Sequence, residues 1–152
     1  MKILIVVGDE STHSVAQIVG HEVTIVSGFK EAAWTLFNEK FDVVLTSTCM
    51  QYGDIAPDPL FAYGFSVVLM AVNQGIKSVA LPRDHSDRNG INGSFDYMSG
   101  SYRLNQTKFL VMDVNEACAE IHPTRKVWVR TINYKDWMRA IKILVDENCS
   151  TT

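Results

Sequence analysis

The chain has 152 residues, 47% of them hydrophobic and 20% charged, with a formal charge of −3. That length suits one domain with a sizeable core, and the composition excludes a disordered chain. The mild acidity leaves no general basic field for nucleic acid or anionic lipid. No apolar run approaches the roughly 18 residues of a membrane span, so a soluble cytoplasmic protein is expected.

The opening "KILIVV" (Lys2–Val7) is a continuous β-branched run stopped by Gly8, which predicts a strand buried on both faces. It is too short for a signal-peptide core. "STHSVAQIVG" follows as a helix, with Ser11 or Thr12 as N-cap and Gly20 as its stop. "HEVTIVSG" (His21–Gly28) reads as a second strand, and "FKEAAWTLFNEK" as a helix with Phe29, Ala33, Trp34 and Phe37 on one face. "FDVVLTST" (from Phe41) is the third strand.

After a loop from Cys49 to Ala62, "AYGFSVVLMAVNQG" predicts a helix ending at Gly75, and "IKSVALP" a fourth strand. That helix is apolar enough to be a partner surface, although burial is the simpler account. Residues Arg83 to Gln106 carry few core-type side chains and read as a long loop. "KFLVMDV" (Lys108–Val114) is the fifth strand, and "KVWVRTI" (Lys126–Ile132) a candidate sixth. The last helix has Asn133 as its cap and repeats Trp137, Ala140, Ile141, Leu144 and Val145 at helical spacing.

Strands alternating with helices at these intervals predict right-handed βαβ units: an α/β three-layer sandwich with a mainly parallel sheet of five or six strands. Residues 1–148 form the expected domain and 149–152 a polar tail. Cys49, Cys118 and Cys149 are scattered, with no C-x-x-C pair to suggest a zinc ribbon or a redox site. His13, His21 and His122 are isolated and read as ordinary surface residues. Arg125–Lys126 is the one adjacent basic pair, read as a solvated turn.

"KILIVV" together with "GHEVTIVSGFKEAAWTLFNEKFDVVLT" resembles the first half of a response-regulator receiver. The resemblance implies a receiver-like, flavodoxin-like order 2-1-3-4-5. Receivers hold magnesium with an acidic pair directly after the first strand. Here Val7–Gly8 takes that slot, and Asp9–Glu10 come later. The phosphoacceptor position falls on Ser47. The fourth strand runs into "LPRDH" where a small hydroxyl residue belongs, and the fifth offers Met112 and Asp113 where receivers have a lysine. Phosphoryl transfer to a receiver needs a carboxylate nucleophile, a metal and that lysine. The resemblance therefore implies the fold without the activity.

Open parallel sheets bind ligands at the carboxyl ends of their strands, beside the switch point. That rule selects Asp9 and Glu10 after the first strand, Ser47 and Thr48 after the third, and Arg83, Asp84 and His85 after the fourth. Arg83, Arg88 and Arg103, with the glycine turns between them, suit a phosphate or carboxylate. Asp9, Glu10 and Asp84 are candidate ligands for a divalent cation. A Cys49–His85 nucleophile pair is conceivable but lacks a recognisable elbow. No dinucleotide or P-loop glycine motif is present.

Two functions follow as expectations. The first is a non-phosphorylatable, pseudo-receiver binding module that acts through a protein partner, a second copy of itself or a small anionic ligand. Its rival is a small metal-assisted hydrolase using Asp9, Glu10, Asp84 and His85. The balance favours binding over catalysis.

Overall fold

A computed structural model describes residues 1–8, 18, 20–53, 61–82, 98, 100–112, 115–121, 128–135 and 137–146. In chain order the elements are β1 (Lys2–Val7), β2 (Glu22–Ser27), α1 (Phe29–Asn38), β3 (Val43–Thr46), α2 (Gly64–Asn73), β4 (Ser78–Pro82), β5 (Gly100–Leu104), β6 (Thr107–Met112), β7 (Asn115–Ile121), β8 (Trp128–Lys135) and α3 (Trp137–Asp146). Among the described residues no helix is long and apolar enough to cross a membrane.

The main sheet has six strands in the order β2-β1-β3-β4-β6-β5. The first five pair parallel, and β5 joins the edge antiparallel to β6. Alternation along β1 explains why its run is apolar throughout. Leu4 and Val6 enter one core cluster with Ala32 and Leu36 of α1 and Val67, Val68 and Ala71 of α2. Ile3, Ile5 and Val7 enter a second cluster with Trp137, Ala140, Ile141 and Leu144 of α3. Helices therefore cover both faces of a sheet whose inner strands need two apolar sides.

The expected order holds through β2-β1-β3-β4, and the fifth predicted strand, here β6, lies beside β4. The sixth strand is not the one expected. "GSYRL" supplies it as β5, inside the segment read as a loop, with Ser101, Tyr102 and Arg103 exposed. An edge strand is held by backbone pairing, so it does not need the apolar alternation that reveals an inner one. Asn105, at φ 56°, opens the two-residue turn into β6; asparagine tolerates that left-handed conformation better than other side chains do.

The predicted Lys126–Ile132 strand corresponds to β8, which pairs antiparallel with β7 in a separate two-stranded sheet. Asn133 lies inside β8 and does not cap the last helix, which starts at Trp137. The remainder of that helix follows expectation, with Trp137, Ala140, Ile141 and Leu144 buried. Its last turn is tied to the sheet where Lys108 Nζ of β6 donates to the Ile143 carbonyl at 3.1 Å.

Helix α1 forms where expected but turns a different face inward. Ala32, Thr35 and Leu36 are buried, whereas Trp34 is 66% and Phe37 83% exposed. The helix is rotated by about one residue, or roughly 100°, from the predicted orientation. Small Ala32 and Thr35 let its axis approach α2 and β2, which bulky Trp34 and Phe37 would hold away. The predicted helix over residues 11–20 lies outside the described residues, save Ile18 and Gly20. Ile18 is buried in the second cluster.

Candidate functional site

The switch point of this sheet lies between β1 and β3, because the chain turns from β1 to β2 on one side and continues through β3 and β4 on the other. Ligands of open parallel sheets sit outside the strand ends there. In this chain the described part of that crevice is occupied by its own backbone. The Gly8 N–H donates to Ser47 Oγ at 3.2 Å, and the Ser47 N–H donates to the Val6 carbonyl at 2.8 Å. These bonds tie the end of β1 to the end of β3 across the switch point. A Cβ on Gly8 would collide with the Cys49 carbonyl, so only glycine lets the two segments approach this closely.

Ser47 and Thr48, expected to face a ligand, are 1% and 2% exposed. Thr46, also buried, donates its hydroxyl to the Ser47 carbonyl at 3.1 Å. The hydroxyl-rich sequence "TST" thus serves the turn at the end of β3. Cys49 is half-buried beside it.

The amino ends of α1 and α2 point to this same end of the sheet, where exposed backbone amides would suit an anion. Their leading amides are already engaged. Phe29 N–H donates to the Gln51 carbonyl (2.9 Å), Lys30 N–H to the Tyr52 carbonyl (2.8 Å) and Gly64 N–H to the Thr48 carbonyl (2.9 Å). The segment after β3 therefore caps both helices, and three of the donors an anion would use here are spent on it.

Above this turn stands an aromatic group that the sequence reading missed. Tyr63 is its hub, stacked on Phe29 at 5.0 Å between centroids and meeting Tyr52 at 5.9 Å and Phe61 at 5.8 Å edge-on. Tyr52 and Phe61 remain about half exposed. An antiparallel bridge between Met50 and Phe61 brings the two ends of the loop together, which is what places Phe61 over Tyr63. Aromatic pairs of this kind are each worth about 0.5–1.5 kcal/mol beyond burial. The available signal was "YG" repeated in "QYGD" and "AYGF": two aromatics, each beside a glycine, flanking one loop.

The register separates Arg103 from this group. It pairs with Lys108 at the beginning of β6, whereas Ser47 and Thr48 follow the end of β3, so Arg103 sits toward the opposite end of the parallel strands. The register thus sets Arg103 apart from Ser47 and Thr48, with which it was grouped. An antiparallel strand carries its later residues away from the site. Asp9, Glu10, Arg83, Asp84, His85 and Arg88 lie outside the described residues. Among the described residues, no group of three or more His, Cys, Asp or Glu side chains is placed to hold a metal ion.

Compared with family models, with curated proteins and with solved structures, the chain matches none of them.

Proposed function

We propose that this chain is a receiver-like regulatory module that takes no phosphoryl group and works by protein contact through the outer face of α1. The observation that carries this reading is the exposure of Trp34 and Phe37, one turn apart on that helix, at 66% and 83%. Large aromatics in adjacent exposed positions mark interaction surfaces more often than isolated ones do. The receiver-like element of the reading rests on the strand order β2-β1-β3-β4, followed by β6, with helices on both faces. Its inability to accept phosphate rests on Ser47: a buried hydroxyl that accepts from the Gly8 amide is a poor nucleophile without an adjacent base.

The partner that fits is a second copy of the chain. If two α1 helices pack antiparallel about a two-fold axis between residues 35 and 36, Trp34 of each meets Phe37 of the other. A two-fold interface of this kind is self-complementary by construction.

Sedimentation velocity over a range of concentrations tests the contact. The expected result is a monomer–dimer equilibrium that Trp34→Ala/Phe37→Ala abolishes without moving the unfolding midpoint beyond the surface background of about 0.5 kcal/mol. A chain monomeric at every concentration, or a double variant that unfolds markedly earlier, would refute the reading. Incubation with acetyl phosphate and magnesium checks the other half. The intact mass should stay unchanged, and a stable phosphoryl adduct at the end of β3 would overturn it.

A further inference from the structure

At the opposite end of the sheet from the strand-end turn, where the parallel strands begin, a cleft of about 480 Å³ opens between the start of β1 and the outer turns of α3. Met1, Met138, Ile141 and Val145 give it an apolar body. His21, Lys142, Arg139 and Asp146 stand around it. The size falls within the range of pockets that enclose small organic molecules, and the mixture of an apolar body with few polar groups is what such pockets share.

The two walls are fixed independently. The Glu22 N–H donates to the Met1 carbonyl at 3.1 Å, so Met1 and His21 stand side by side where β1 and β2 begin their pairing. Across from them, α3 is anchored by Trp137, Ala140 and Leu144 in the core, with Ile141 shared between core and cleft. The cleft is therefore framed by elements whose positions the sheet dictates.

One atom in it is unaccounted for. His21 Nδ1 is buried and has no hydrogen-bond partner among the described residues. A buried ring nitrogen without a partner is costly, and natural structures satisfy such groups by protein, water or ligand. The nitrogen donates or accepts according to the tautomer its partner selects. Arg139 and Asp146 are each engaged within the protein, which leaves His21 and Lys142 as the groups offered to a ligand's polar end. Asp146 and the closing carbonyls of α3 oppose an anion there, which limits the head group to a single charge.

We propose that this cleft binds a small apolar monocarboxylate, with its hydrocarbon part along Met1, Met138 and Val145 and its carboxylate between His21 Nδ1 and Lys142 Nζ. A carboxylate accepts from both groups at once, whereas an ammonium head would meet Lys142 and Arg139 as like charges. The site lies apart from the outer face of α1 and does not depend on the contact proposed there.

The test is a titration with decanoate below its micelle concentration, followed by NMR of protein labelled in its methionine methyls and histidine rings. Decanoate should shift the Met138 methyl and His21 ring signals saturably. His21→Phe, which keeps the ring bulk, and Lys142→Gln should each weaken binding about tenfold, as should replacing decanoate by 1-decanol. Val145→Trp, which fills the body of the cleft, should abolish the shifts while the circular dichroism spectrum is retained. Absence of saturable shifts would overturn the proposal. So would equal binding of decanol and decanoate, or His21→Phe and Lys142→Gln proteins that bind decanoate as the parent does. If Val145→Trp fails to fold, the two polar variants decide the matter alone.

Discussion

At the scale of single residues, two glycines set the geometry of the strand-end turn, and neither acts through a turn conformation. Gly8 and Gly64 are close-approach positions, the first against the Cys49 carbonyl and the second against the Ser47 carbonyl. A Cβ at Gly64 would also lie 2.8 Å from both the Cα and the carbonyl oxygen of Thr48. These are backbone atoms that cannot rotate aside, so Gly64→Ala must push α2 away from the end of β3. The expected destabilisation is about 1–3 kcal/mol, the usual range for overpacking, although alanine is the better helix former by roughly 1 kcal/mol. Urea unfolding checks it, and a Gly64→Ala protein as stable as the parent would show that α2 is not seated on that turn. The position of Ser47 at the end of β3 was legible from the apolar run before it. Its hydrogen bond with Gly8 was not, because it joins residues far apart in the chain.

At the scale of elements, legibility followed burial. β1, β3, β4 and β6 announced themselves because strands covered on both faces must be apolar throughout. α3 did so because its buried stripe recurs at the helical period. β5 and β7 did not, since strands held chiefly by backbone hydrogen bonds leave little trace in side-chain pattern, and β8 was legible as a strand but not as half of a separate pair. α1 was found but misoriented: its sequence offers apolar residues around most of its circumference, and periodicity alone does not choose between them. α3 carries the sharpest energetic expectation. Leu144 is fully buried against the sheet. Leu144→Ala should therefore cost about 2–5 kcal/mol in unfolding free energy, with the spread set by how far the surroundings collapse into the space. A midpoint unchanged within error would mean that the helix does not pack as described.

At the scale of the whole molecule, the sheet separates two ends with different characters. Among the described residues, the carboxyl ends of β1 and β3 are joined by serine and glycine hydrogen bonds beside a group of aromatics. The amino end holds the cleft with its histidine. The rule for parallel sheets points to the first, and ionisable residues cluster in the sequence after those strands. His21 carried no signal of its own: a lone histidine before a strand becomes notable only when the fold sets it opposite α3. That opposition also has a kinetic side. Ile3, Ile5 and Val7 of the first strand receive their cover from the last helix. During synthesis on the ribosome the early strands emerge with one apolar face that, among the described early residues, Ile18 alone joins, and its helical cover waits until nearly all of the described chain has left the exit tunnel. Such long-range closure slows folding and lengthens the interval in which chaperones or neighbouring nascent chains can reach that face. A stop or slippery site in the message just before Trp137 would thus release a product whose inner sheet surface is open to aggregation.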